Sequence, residues 1–136
     1  MIVIQDFNVV NDLFASHGCL LKLVKWGKKF YIGGSLRERR VFKNGKKEGE
    51  YEGFYNDGSK NFSFNFYNDE YHGTNRIWAK DGQLIEELNY LNGYENGSQK
   101  VWYLNGKIRS NYVIKNNRRF GLLGTKNCIN TGEKVF

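Results

Sequence analysis

Proline is absent from the chain, so every reversal must fall to glycine, asparagine or aspartate. Cysteine is nearly absent too. Cys19 and Cys128 stand 109 positions apart with no CxxC, which supports neither a disulfide framework nor a zinc site. Histidine occurs only at 17 and 72, and no apolar run approaches the length of a membrane span. The opening MIVIQDFNVVNDLFASHGC does end on Gly-Cys, as a lipoprotein cleavage site would. However, Asp6, Asn8, Asn11 and Asp12 interrupt its apolar stretch and no basic residue precedes it, so as written the chain is expected to be cytoplasmic.

What is present is aromatic residues, at 16% of the 136 residues, and glycine, at 16 residues. That much aromatic content argues against disorder, and the length fits one domain. The formal charge of +7 is unevenly spread. Residues 22–48 carry ten Lys/Arg against two acids, and 107–136 carry seven against one. Residues 49–106 reverse the balance, with four against nine. A nonspecific nucleic-acid binder would show one continuous basic stripe, so nucleic acid is not the expected partner.

A period of 24 residues organises the chain and takes precedence over any helix or strand assignment. Phe30, Phe54, Trp78 and Trp102 lie 24 apart, and four residues after each comes Gly34, Gly58, Gly82 or Gly106. Leu36, Lys60, Leu84 and Ile108 follow, then Phe42, Phe66, Tyr90 and Ile114, then Asn44, Asn68, Asn92 and Asn116. Gly49, Gly73, Gly97 and Gly121 close the unit. Asp57-Gly58, Asp81-Gly82 and Asn105-Gly106 read as two-residue hairpin turns of type I′. After each turn the residues alternate: Lys60, Phe62, Phe64 and Phe66 share one side, and Asn61, Ser63 and Asn65 the other. The segment before the turn, such as TNRIWA at 74–79, supplies the partner strand. Asn44-Gly45 and Asn92-Gly93 then lead into the next hairpin. One such hairpin cannot bury a face alone, so successive hairpins are expected to stack into an elongated single-layer antiparallel sheet. The aromatic columns at 30, 54, 78, 102 and at 42, 66, 90, 114 are expected to form ladders along it.

The segments GGSLRERRVFKNGKKEG, FYNDGSKNFSFNFYNDEYHG, WAKDGQLIEELNYLNGYENG and WYLNGKIRSNYVIKNNRRFG resemble the bacterial variant of the MORN repeat. That family is often labelled antitoxin of the YwqK type, and the ending NYVIKNNRRFGLLGTKNC is similar to a Bacteroidetes subgroup. Lys60 stands where the family has Leu, and Asp69 and Asn117 stand where the other copies have Gly. The resemblance implies an all-β fold of stacked MORN-type hairpins. The expected divisions are an irregular segment or cap over 1–29, four repeats over 30–121 (30–53, 54–77, 78–101, 102–121), and a tail or cap over 122–136.

No catalytic constellation emerges. His72 precedes a closing glycine in a turn, and His17 has no acid or nucleophile at a meaningful spacing. Glu86 and Glu87 are adjacent on a strand and point to opposite faces. Asp57 and Asp81 are turn residues, and no GxGxxG or Walker sequence occurs. The expectation is therefore a non-enzymatic scaffold without cofactor, metal or small-molecule substrate, which binds another protein or itself. The candidate surface is Tyr31, Tyr55, Trp78, Trp102 and Tyr103, because Tyr and Trp flanked by charges suit protein interfaces. A competing reading is an envelope-associated structural repeat, since relatives in the resembling subgroup are often exported or lipid-anchored. Another is a peripheral binder of acidic lipid. It would use Arg37, Arg39, Arg40, Lys43, Lys46 and Lys47 at one end and Arg109, Lys115, Arg118 and Arg119 at the other.

Overall fold

The computed structural model describes residues 6–12 and 22–124. Their strands are β1 (Asp6–Asp12), β2 (Lys22–Phe30), β3 (Leu36–Lys43), β4 (Lys46–Lys47), β5 (Gly49–Phe54) and β6 (Lys60–Tyr67). Then come β7 (Glu70–Tyr71), β8 (Gly73–Trp78), β9 (Leu84–Leu91), β10 (Tyr94–Trp102), β11 (Ile108–Lys115) and β12 (Arg118–Leu122). All twelve strands of the described residues belong to one sheet, in the order β1-β2-β3-β5-β6-β8-β9-β10-β11-β12, with β4 on β3 and β7 on β6. Each pairing is antiparallel. The path has two separate ends, β1 and β12, so the sheet is elongated and not closed into a barrel. Among the described residues no helix is long and apolar enough to cross a membrane.

The type I′ geometry expected at the Asp-Gly and Asn105-Gly106 turns falls instead on the other reversals. A type I′ turn needs positive φ at both central residues. That condition holds at Asn44-Gly45, Asn68-Asp69, Asn92-Gly93 and Asn116-Asn117, and not at Asp57-Gly58, Asp81-Gly82 or Asn105-Gly106, where only the glycine is positive. At the latter sites the Gly58 amide donates to the Tyr55 carbonyl, and the Tyr55 amide donates to the Ser59 carbonyl. This is a three-residue loop, a type I turn followed by one left-handed glycine. Aspartate belongs there because its carboxylate accepts the amide two residues on: Asp57 takes Ser59 N at 2.9 Å, and Asp81 takes Gln83 N at 3.0 Å. All eight column glycines have positive φ.

The N-terminal segment over 1–29, expected to be an irregular segment or a cap, carries β1 and most of β2. Its side chains depart from the 24-residue columns, but a backbone ladder does not require those columns. β2 pairs with β3 from Val24↔Lys43 to Phe30↔Leu36. Lys25 occupies the column of Gly49, Gly73 and Gly97, where the later units kink.

The kinks decide where the interior lies. Among the described residues no apolar side chain is buried, and the buried positions are Glu52, Gly53, Ser63, Asn75, Gln99 and Ser110. Gln99 resumes the β9 ladder opposite Leu88 after a register shift that spans Gly97, and Asn75 lies in the corresponding gap between the pairs Phe66↔Tyr71 and Ser63↔Arg76, just beyond Gly73. The slip deprives two amides of ladder partners. Asn75 Oδ1 accepts Asn65 N at 2.7 Å, and Gln99 Oε1 accepts Asn89 N at 3.0 Å. Gln99, fully buried, also donates to the Asn89 carbonyl at 2.7 Å. Side chains thus satisfy buried backbone groups that would otherwise cost about 1–3 kcal/mol each.

Candidate functional site

The five aromatic candidates lie along one row of turns, and they do different work. Tyr31 donates its hydroxyl to the Phe54 carbonyl at 2.9 Å, and Tyr55 donates to the Trp78 carbonyl at 2.8 Å. Each tyrosine therefore ties its own unit to the next. Trp78 is half-buried, with the Lys60 ammonium 5.9 Å from its ring centroid. Lys60, the departure from leucine, also reaches Glu52 at 2.9 Å. Trp102 is half-buried, and Tyr103 is exposed beneath Arg109. The first aromatic column gives no close ring pair among the described residues.

The close ring contacts gather elsewhere. Tyr51 meets Phe62 at 4.9 Å, Phe62 stacks on Phe64 at 4.7 Å, and Phe64 meets Tyr71 at 5.9 Å. Tyr71 then bridges Phe66 at 4.8 Å and Tyr90 at 5.1 Å, so the second aromatic column is linked through a residue from outside it. Register places these rings on one face: Tyr51 opposes Phe64, Gly53 opposes Phe62 and Phe66 opposes Tyr71. None of the rings is buried. Two cations flank them. The Arg40 guanidinium sits 4.1 Å from the Tyr51 centroid, and the Lys47 ammonium sits 5.2 Å from that of Phe66. A cleft of about 160 Å³ opens among Arg40, Lys47, Tyr51, Phe64, Phe66 and Tyr71. The alternation of Phe62, Phe64 and Phe66 made part of this face legible. Tyr51, Tyr71 and Arg40 join it only through cross-strand register.

Carboxylates order the surrounding charge. Burial by itself would raise the pKa of Glu52. Hydrogen bonds and charge from Lys60 and Arg39 outweigh it and hold the carboxyl below its ordinary value. Arg39 Nε donates to Glu52 Oε2 at 2.6 Å. Glu38 follows the same logic: burial raises its pKa, but Lys29 at 2.7 Å and the Tyr51 hydroxyl at 2.7 Å bring it below the ordinary value. The Tyr51 hydroxyl is pushed up, first by burial and then by its bond to the Glu38 carboxylate. Burial and the Glu95 charge push Tyr90 up as well.

Glu87 pairs with Arg76 at 2.9 Å, and its neighbour Glu86 stands opposite Ile77 in register. His72 Nδ1 accepts the Asn92 amide at 3.4 Å, as Glu48 accepts the Asn68 amide at 3.0 Å one unit earlier. His72 thus joins two units. His17, Cys19 and Cys128 lie outside the described residues. Comparison of the chain with protein-family models, curated proteins and solved structures finds no match.

Proposed function

We propose that the protein is a non-enzymatic scaffold of MORN-type hairpins that binds another protein through its aromatic face, in the manner of an antitoxin-like partner. The observation that carries this reading is the continuous set of ring contacts from Tyr51 to Tyr90 on a face where no ring is buried. Rings that already touch one another lose little freedom when a partner covers them, and aromatic side chains supply most interface hot spots. Co-purification from the native cell tests the reading. Wild type should retain a specific partner, and Phe66→Ser with Tyr71→Ser should lose it while keeping the β-sheet circular dichroism. A Trp78→Ala, Trp102→Ala variant reports separately on the turn row. If no form retained a partner, the scaffold reading would fall.

A second reading, a peripheral binder of acidic lipid, draws on exposed Lys46 and Lys47 beside Lys43. It expects binding to anionic vesicles that falls steeply with salt, because charges separated by more than about 10 Å are screened at 0.1 M. Equal binding to neutral and anionic vesicles would count against it.

A further inference from the structure

We infer that the cleft beside Arg40 and Lys47 is the docking point for an acidic polypeptide segment. That segment would seat one aromatic side chain against Phe64, Phe66 and Tyr71 and place its flanking carboxylates on the two cations. This rests on the scaffold reading and names the chemistry of the partner.

The opening is a consequence of the fold. Gly49 faces Phe66 across the β5–β6 ladder, and a β-carbon at 49 would meet nothing within 4 Å. A missing side chain thus leaves space beside a ring. The later units have the same geometry, with Gly73 opposite Tyr90 and Gly97 opposite Ile114. The cations are not repeated with it. In the columns of Arg40 and Lys47, the next units carry Phe64 and Tyr71, then Leu88 and Glu95, then Tyr112 and Arg119. Folding a unit therefore does not require a cation at both positions. Their pairing belongs to this cleft.

The two charges are also incompletely neutralised. Arg40 lies 3.7 Å from Glu38, which is already engaged by Lys29 and Tyr51. Lys47 has no carboxylate within ion-pair distance among the described residues. Both cations sit over rings, where an incoming carboxylate is partly shielded from water and its attraction is strengthened. The surrounding segment 22–48, with ten basic residues against two acids, adds a long-range field of the same sign. A long polyanion is disfavoured, because along the sheet it would next meet residues 49–106, with nine acids against four basic residues. A short acidic segment needs only the local field.

The test uses the full chain and fluorescence anisotropy with a labelled Gly-Glu-Asp-Phe-Asp-Glu-Gly peptide. Replacing the peptide's Phe by Ala should weaken binding by about thirtyfold, as for an interface anchor. Arg40→Gln with Lys47→Gln should weaken it by about tenfold, whereas Lys43→Gln with Lys46→Gln, the same change in net charge, should leave it nearly intact. If the first pair loses its circular dichroism, Lys47→Gln against Lys46→Gln, each a single exposed lysine, makes the charge-matched comparison. Several outcomes overturn the inference: no binding, equal binding of the Phe and Ala peptides, or equal loss from the two pairs of substitutions. Tighter binding of single-stranded DNA or phosphatidylglycerol vesicles than of the Phe peptide would also overturn it. A cellular partner retained equally by wild type and by Arg40→Gln, Lys47→Gln would sink the cleft while leaving the scaffold reading in place.

Discussion

Gly53 lies beneath the Phe62 ring, and a β-carbon there would fall 2.0 Å from Phe62 Cε1. Phe62 cannot easily yield, because it stacks on Phe64 and packs edge-on against Tyr51. Gly53→Ala should therefore cost about 1–3 kcal/mol in urea unfolding, the usual range for overpacking. Gly33→Ala, with nothing within 4 Å, should cost far less. Equal costs would mean that the ring contacts do not constrain Phe62. Glu52 makes a different prediction. Its pKa is lowered on folding, so its contribution is complete above the ordinary glutamate range and is lost as pH falls through the lowered folded-state value. Glu52→Gln should be less stable than wild type at neutral pH, because Arg39 and Lys60 lose their partner. The gap should close progressively in unfolding measurements carried below pH 4.5, and a gap independent of pH would exclude this assignment.

At the scale of the element, two devices recur. One is the Asn-led turn at Asn44, Asn68, Asn92 and Asn116, and the other, in two of the units, is a buried amide side chain (Asn75 or Gln99) beside a register shift. Asn75→Ala and Gln99→Ala should each cost about 1–3 kcal/mol, since the amides of Asn65 and Asn89 would lose their acceptors inside the sheet. Thr74→Ala, half-buried one residue away, should cost less, and chemical denaturation of the three variants checks the order. From Leu36 onward the strands were legible in the sequence because glycine and asparagine columns mark each reversal, whereas β1 and β2 lie where those columns fail. β6 and β9 fall where period-two alternation places them. Turn chemistry was legible less accurately. Asp-Gly suits both a type I′ turn and the third position of a longer loop, and only the hydrogen bonds of Tyr55 and Gly58 separate the two. The buried amides were not legible. Asn75 and Gln99 look like surface residues until the register shifts around Gly73 and Gly97 are known. The aromatic face was half legible, since Phe62, Phe64 and Phe66 share a strand while Arg40, Tyr51 and Tyr71 arrive from its neighbours.

Across the whole molecule, stability is passed from unit to unit. The Asp69 amide donates to the Lys47 carbonyl and the Gly93 amide to the Tyr71 carbonyl, each at a sequence distance near one repeat. The tyrosine ties at 31 and 55 span 23 residues in the same way. Without a buried apolar residue among the described positions, no central core holds distant units together. A hairpin is therefore secured by its two neighbours, as in other linear repeat folds. Interior strands have two neighbours and the last has one: β6, β8, β9 and β10 are each paired on both sides, whereas β12 pairs only with β11 and is exposed throughout. Opening should then proceed inward from β12, with a free energy that grows as more interfaces must part. Native-state hydrogen exchange followed by mass spectrometry should find the slowest amides in 60–101 and markedly faster exchange over 118–122. Gly53→Ala should accelerate exchange most in β5 and β6 and least in β11, because the disturbance reaches β11 only through the intervening strands. Uniform protection along the chain, or equal acceleration in every strand, would show a single cooperative unit and overturn this account of how the repeats support one another.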